Sequence, residues 1–372
     1  MAISPSIESA LSRSARPPRV ARPIDHLLLS ALLPTGLLYR VHRPDYLALC
    51  YHCVSEPVAD LVHYIYDYKS PTEFEQDVLL LRRKFGLADA APFAFESAPV
   101  PATAGQALLT FDDGFSEWDS NVLPILRRQQ ANAILFVTTA LIDNQRMLEG
   151  HAVSLAIGTL VGANQEQRRR LLDIALPLLS LTDDATLETV FNRLRALGEY
   201  QHADLLARLF DGWGIDLAAC LRERQPYLSE AAILRLRSAG CVIGAHGIDH
   251  RNLSGVTDDE LRRQIVESCA RIRDITGQKR VPFAFPFSRR VAASSLQSMR
   301  TNEPVVGAIF GTGGIRRVPK GFYERVVGDW RFSPGMRRLR PAVLMMLNRA
   351  YLAKASEYVR HKLGRSRIPY ER

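Results

Sequence analysis

Short apolar runs of strand length alternate with helical segments that carry their own start and stop signals, and this alternation constrains the fold more than any other feature of the chain. Residues 46–54, YLALCYHCV, form the first run. After a polar and aromatic loop, Ser70-Pro71-Thr72-Glu73 supplies a helix start: Ser70 can cap, Pro71 suits the first turn, and Glu73 can reach back to complete a capping box. Phe74, Val78, Leu81 and Phe85 then recur at helical spacing until Gly86 ends the helix. The pattern repeats with a strand at 107–111, a helix at 121–129 and a strand at 133–138. Farther on, Ser229 caps a helix carrying Ile233, Leu234 and Leu236 that Gly240 stops, and a strand follows at 241–245. Thr257 and Glu260 make a second capping box, opening a helix with Leu261, Ile265, Ile272 and Ile275 that ends at Gly277. Strands alternating with helices imply an α/β protein with a parallel sheet, open or closed into a barrel, and an active site at the carboxyl ends of the strands.

Residues 143–228 are too many for a simple loop. The Leu-rich periodicity of 168–181 and 186–197 predicts a helical insertion, read first as a lid or packing element and second as a separate binding unit. No internal repeat of 20 to 50 residues is present. The expected organisation is a basic N-terminal arm with a short apolar segment (1–40), an α/β domain with its insertion (41–330), and a basic helical tail (331–372).

The tail accounts for the charge. The chain carries a formal net charge of +9, and 331–372 holds eleven Lys and Arg against Glu357 and Glu371, so the rest is neutral as a whole. The basicity therefore says little about the substrate of the main body, and with no recognition motif beside it nucleic-acid binding is not expected. Leu344, Leu347, Tyr351, Tyr358 and Leu363 fall near one helical side of the tail, which suits either packing on the body or peripheral contact with an anionic membrane. The five cysteines are an odd set lying mostly in apolar runs, which favours a reducing compartment. Residues 1–25 lack the apolar core of a secretory signal, and 27–39 are too short to span a bilayer and are broken by Pro34 and Gly36. A cytoplasmic protein, with membrane association through the tail as an option, is the expectation.

Three clusters of ionisable groups end predicted strands: Tyr51-His52, Thr110-Phe111-Asp112-Asp113-Gly114, and Gly244-Ala245-His246-Gly247-Ile248-Asp249-His250. Two histidines and one carboxylate can hold a divalent ion while leaving positions open for water and substrate, the requirement of a catalytic rather than a structural site. Adjacent side chains in extended backbone point to opposite faces, so Asp112 and Asp113 are expected to divide the work, one on the metal and one on a proton. Asp-Asp-Gly alone is a common solvated turn, and HxxxH alone is common by chance. Their joint occurrence after apolar strands is what points to a metal-assisted hydrolase.

With these motifs the sequence resembles the polysaccharide deacetylases that carry a NodB-type homology domain, also called family 4 carbohydrate esterases. Residues 110–114, TFDDG, match the first motif of that family and 243–254, IGAHGIDHRNLS, the second; 283–288, FAFPFS, look like its aromatic-Pro-aromatic segment. The resemblance implies a distorted (β/α) barrel of fewer than eight complete units. It implies Asp112 as general base, and Asp113, His246 and His250 as ligands of a divalent ion, usually zinc. Phe285, Pro286 and Phe287 would line the substrate groove. Most members end in a Leu-x-His motif that supplies the general acid, but the only histidine here after His250 is His361, in the tail. A subset resembling the poly-N-acetylglucosamine deacetylases places that acid in an early Tyr-His motif, which makes His52 the candidate, against the alternative of a hydrogen-bonded strand-end histidine.

The implied activity is hydrolysis of the N-acetyl group of an amino sugar in a polysaccharide or its precursor, with an N-acetylated glycan as partner. The competing class is a catalytically inactive glycan-binding protein on the same fold. Cys50 and Cys53 flank His52 in CxxC spacing, but residues three apart in a strand face opposite ways, so packing is favoured over metal or redox chemistry. Ser288-Arg289-Arg290 stands where relatives tend to carry an acidic residue and reads as a solvated loop or a contact for an anionic group. Arg325 and Asp329 lie where positioning residues would be and receive no role from sequence.

Overall fold

Seven strands realise the predicted alternation: β1 (Tyr46–Tyr51), β2 (Gln106–Phe111), β3 (Ile134–Val137), β4 (Val242–Ala245), β5 (Val281–Ala284), β6 (Val306–Gly311) and β7 (Phe322–Val327). They pair in sequence order, all parallel, and β1 pairs with β7 to close the barrel. The protein is described here by a computed structural model covering residues 44–56, 59–198, 202–287, 291, 293–315, 318–329, 347, 350 and 351. The N-terminal arm, Ser288-Arg289-Arg290 and most of the basic tail lie outside these described residues. Of the tail, Leu347 and Tyr351 are helical and buried within the large hydrophobic cluster.

Helices α1 (Pro71–Phe85) and α2 (Leu123–Arg128) precede the insertion, which consists of α3 (Glu149–Gly162), α4 (Gln165–Leu178), α5 (Leu187–Leu197), α6 (Ala203–Gly212) and α7 (Leu217–Arg224). Helices α8 (Glu230–Ser238), α9 (Asp258–Arg262), α10 (Ser268–Thr276) and α11 (Ala293–Asn302) complete the sequence of elements. The start of α1 is the one its sequence specifies: Ser70 Oγ accepts from the Glu73 N–H, and the Glu73 carboxylate accepts from the Ser70 N–H. At α9 only half of the expected box forms. Thr257 Oγ1 accepts from the Glu260 N–H, but the Glu260 carboxylate instead pairs with Arg263 and Arg251 and accepts from Gln264.

Alternation along the strands builds two packing layers. Tyr46 and Ala48 of β1, Leu108 of β2, Ile134 and Phe136 of β3, Val242 of β4, Ala284 of β5, Phe310 of β6 and Tyr323 of β7 form one cluster with Phe93, which fills the barrel interior. Their neighbours Leu47, Leu49, Leu109, Leu135, Ile243 and Ile309 belong to the outer cluster that packs against the helices. Two residues on from Ala48, Leu108 and Tyr323, the inward positions become Cys50, Thr110 and Arg325, all fully buried. The interior is thus apolar along most of its length and polar only at the carboxyl ends of the strands, where the sequence clusters converge.

Gly244 in β4 is needed for this packing. A Cβ at that position would lie 2.4 Å from Phe136 Cδ1 and 2.9 Å from the Pro282 carbonyl oxygen. Gly244→Ala is expected to lose about 1–3 kcal/mol in urea unfolding by forcing Phe136 or the β4–β5 backbone aside. Stability within about 0.5 kcal/mol of wild type would contradict this packing.

Candidate active site

His52, Asp112, Asp113 and His246 all follow the last residues of β1, β2 and β4, and His250 lies one turn of loop farther on. The expectation that Asp112 and Asp113 face opposite sides is corrected here. Strand β2 ends at Phe111, and Asp113 takes a left-handed backbone conformation (φ 85°), which swings its side chain back into the cavity Asp112 faces. His246 Nε2 consequently lies 3.7 Å from an oxygen of each carboxylate.

Asp113, His246 and His250 each offer one ligand atom, and these atoms lie within 4.8 Å of one another. Asp113 Oδ1 is buried and makes no hydrogen bond, yet faces His250 Nε2 at 3.3 Å and His246 Nε2 at 3.7 Å. An unsatisfied buried carboxylate oxygen is costly unless a cation is there to receive it. His246 Nδ1 lies 2.9 Å from the Ala284 carbonyl oxygen, so Nδ1 carries the proton and Nε2 presents its lone pair. Burial, with the His250 charge adding to it and Asp112 opposing, pulls His246 down to about 4, so it is neutral near pH 7 as a ligand must be. Burial alone would raise the Asp113 carboxyl, but the neighbouring imidazoles of His250, then His52 and His151, hold it far below the usual range. One carboxylate and two imidazoles suit zinc and other divalent ions of similar preference.

Asp112 is held differently. Arg325 donates to it through both arms, Nη1 to Oδ1 at 2.5 Å and Nη2 to Oδ2 at 2.8 Å, and also reaches Thr110 Oγ1 and the Gly311 carbonyl. Its guanidinium lies over the Phe136 ring at 5.1 Å. Burial would raise the Asp112 carboxyl, but Arg325, then His246 and His52, keep it below the ordinary carboxylate value. Cys50, His52 and Asp112 also approach one another closely enough to suggest an ion site. The Cys50 thiol argues against that reading: it donates to Asp112 Oδ2 at 3.3 Å, and burial pushes it well above its usual pKa. Cys53 turns instead toward Glu117, and both cysteines are free, as the packing reading of the CxxC spacing expected.

His52 is gripped by Asp329, whose Oδ2 lies 2.5 Å from His52 Nδ1 and whose Oδ1 accepts from the His52 N–H at 3.1 Å. Burial pulls the imidazole down, but the charge and hydrogen bond of Asp329, then Asp113 and Asp112, lift it to about 9. The ring therefore carries its proton at neutral pH. About a fifth of the side chain remains exposed (22%), which leaves it a path to a ligand.

These groups line a cavity of about 520 Å³ with Phe285, Phe287, Thr312 and Val327 from the barrel and Leu148, Gly150, His151, Val153, Arg195 and Gly198 from the insertion. Phe287 (φ 57°) sets its ring edge-on to His250 at 4.9 Å. Pro286 is buried beside Gly247 and is not among the cavity-lining residues. Sequence reading left Arg325 and Asp329 without roles and missed Tyr66 and His151. Tyr66 donates to Asp113 Oδ2 at 3.1 Å, and His151 Nε2 lies 3.8 Å from the same oxygen. A signal was available for His151: it is the one ionisable side chain in the stretch 150–165, GHAVSLAIGTLVGANQ.

The family model for polysaccharide deacetylases matches residues 100–302, more than half of the 372. The chain belongs to the polysaccharide deacetylase family. Within this family's match lie Asp112, Asp113, His246 and His250, while His52, Arg325 and Asp329 lie outside it and join the site through β1 and β7. Similar solved structures are IcaB from Ammonifex degensii (15% identity, 81% of this chain and 97% of that one, TM-score 0.47) and the Streptococcus pyogenes deacetylase PplD in complex with acetate (15%, 81% and 96%, 0.47). A de-N-acetylase from Aggregatibacter actinomycetemcomitans is similar at 11% identity over 79% of this chain and 99% of that one, with a TM-score of 0.42. No curated protein matches the sequence. Among the described residues, no helix is long and apolar enough to cross a membrane.

The His52–Asp329 pair yields a direct test. With its partner neutralised in Asp329→Asn, the His52 pKa measured by NMR is expected to fall from about 9 to its ordinary 6.5 or below. Because the folded-state value is raised, the pair stabilises the fold fully below pH of about 6.5, and that contribution disappears as pH climbs through about 9. An unchanged His52 titration in the variant would contradict the assignment.

Proposed function

We propose that this chain is a divalent-metal-dependent amidohydrolase that removes the N-acetyl group of an amino sugar in a polysaccharide or its precursor and releases acetate. The reading is carried by Asp113 Oδ1, a buried oxygen without a hydrogen-bond partner that faces the Nε2 atoms of two histidines. The same cavity receives Asp112 and His52. Membership in the polysaccharide deacetylase family supports the substrate class.

Asp113, His246 and His250 would hold the ion, with zinc the first expectation. Bound there, a divalent ion polarises an acyl oxygen and makes water easier to ionise. Asp112 is the general base. A carboxylate offers about four acceptor positions, of which Arg325 takes two and Cys50 one, leaving one for the proton of the attacking water. Arg325 fixes the direction of that position and keeps Asp112 ionised. His52 is the general acid: it is protonated at neutral pH, and Asp329 holds the ring through Nδ1 while the proton passes to the departing sugar nitrogen. Phe287, the exposed member of the aromatic-Pro-aromatic segment (36%), offers an apolar surface against which a sugar ring can rest, with the buried Phe285 in the cavity wall and the buried Pro286 between them in sequence.

Asp112→Asn is expected to retain metal while acetate release from N-acetylhexosamine oligomers falls about 10²- to 10⁴-fold. Asp113→Ala and His246→Ala should purify without bound metal, as read by elemental analysis. Full activity in the first variant would remove the base assignment, and full metal content in the other two would remove the ligand assignment. Since His52 must be protonated to act, kcat/KM should decline as pH rises through about 9, and Asp329→Asn should shift that alkaline limb to lower pH. A limb that does not move would exclude His52 as the acid.

A further inference from the structure

The helical insertion contributes a residue to the site that neither its helical periodicity nor the family motifs assign. His151, in the first turn of α3, is fully buried, and both ring nitrogens meet tyrosine hydroxyls. Nδ1 lies 2.8 Å from Tyr227 Oη, and Nε2 lies 3.5 Å from Tyr66 Oη. Tyr66 comes from the loop between β1 and α1, and Tyr227 from the segment that leaves the insertion toward α8. The imidazole is clamped between aromatic rings, with Tyr227 stacked on it at 5.7 Å and Phe115 tilted against it at 4.9 Å. The loop that carries Tyr66 is tied to the same helix, since Ser154 Oγ accepts from the Tyr64 N–H and donates to the Asp60 carbonyl.

The direction of each hydrogen bond follows from one unambiguous donor. The backbone N–H of Leu148 donates to Tyr227 Oη at 3.0 Å. A tyrosine hydroxyl has one proton to give, and His151 Nδ1 is the acceptor within reach. Nδ1 therefore accepts, the proton of the ring sits on Nε2, and Nε2–H points to Tyr66 Oη. Tyr66 in turn spends its own proton on Asp113 Oδ2 at 3.1 Å. Every donor in the series is oriented toward Asp113, and the series ends on Oδ2, while Oδ1 is left free to face the two histidines.

We propose that Tyr227, His151 and Tyr66 form a one-way hydrogen-bond series, supplied in part by the insertion, that fixes which oxygen of Asp113 is presented to the metal ion. This rests on the reading of Asp113 as a metal ligand. All three are positioning residues: they touch neither substrate nor the reacting atoms. The series makes the insertion part of the metal site, in addition to forming a wall of the cavity, because ligand carboxylates that lack an outer hydrogen bond can rotate or bind through either oxygen. Loss of such an outer partner typically weakens metal binding about 10- to 100-fold.

The test is metal affinity in the full-length chain, measured as Zn²⁺ competition against a chromophoric chelator, with Co²⁺ absorption as a second readout of ligand geometry. Tyr66→Phe should weaken Zn²⁺ binding about 10-fold or more and alter the Co²⁺ spectrum. Tyr227→Phe, two links away, should weaken binding in the same direction. The double variant should be no worse than Tyr66→Phe alone, because Tyr227 acts only through the series. Tyr323→Phe, which removes a buried hydroxyl bonded to the Pro99 carbonyl elsewhere in the barrel, should leave affinity unchanged and controls for general loosening. The wild type and all four variants are compared metal-free at a temperature where circular dichroism shows them folded. Wild-type affinity in Tyr66→Phe would overturn the proposal and leave the metal site standing, as would strictly additive losses in the double variant. Absence of metal binding by the wild type would remove the metal site itself.

Discussion

Closure of the sheet through β1 is the constraint on which the site depends. This strand pairs with β2 on one side and β7 on the other, so residues separated by more than 200 positions face each other across the barrel mouth. The pairing sets Arg325 against Asp112 and Asp329 against His52, and neither contact could form in an open sheet with β7 at the far edge. A buried Arg–carboxylate pair recovers its desolvation cost only when its geometry is good and its remaining hydrogen bonds are met. Both conditions hold here, since Arg325 uses both arms on Asp112, satisfies Thr110 and Gly311, and covers the Phe136 ring.

The same closure divides the polar mouth into two electrostatic poles. On one side a guanidinium fills the bonding capacity of Asp112 and keeps it ionised while leaving one position to receive a proton. On the other, a carboxylate oxygen without a hydrogen-bond partner meets two imidazoles, one of them held neutral by burial, and this is the arrangement we read as a cation site. Two aspartates adjacent in sequence acquire different surroundings because one faces a fixed charge and the other the ring nitrogens of two imidazoles. The left-handed turn at Asp113 makes this possible, since regular extended backbone would have sent the two side chains apart.

Much of this was legible in the sequence. The candidate ligands and the base candidate stand at or just beyond the ends of apolar runs, where a parallel sheet places its active site, and the capping signals at Ser70 and Ser229 located helices correctly. The orientation of Asp113 was not legible, because a dipeptide rule for extended backbone fails once the strand has ended. Arg325 and Asp329 could be noticed but not assigned, since their partners are fixed by barrel closure and closure leaves no local mark. Tyr66, His151 and Tyr227 sit in three different segments, and only packing of α3 against the mouth brings them together. A lone histidine in an apolar stretch carries no indication of its partners.

The insertion walls the cavity, as a lid or packing element would, and its first helix also brings the buried His151 to within 3.8 Å of Asp113. The account as a whole stands on a cation at the meeting point of Asp113, His246 and His250. Anomalous diffraction from crystals of the full chain soaked in Zn²⁺, collected on both sides of the zinc edge, tests this most directly. The account predicts a single strong peak within bonding distance of Asp113 Oδ1 and both histidine Nε2 atoms, clear of Asp112. A peak between Cys50, His52 and Asp112, or none near Asp113 in well-ordered crystals, would contradict it.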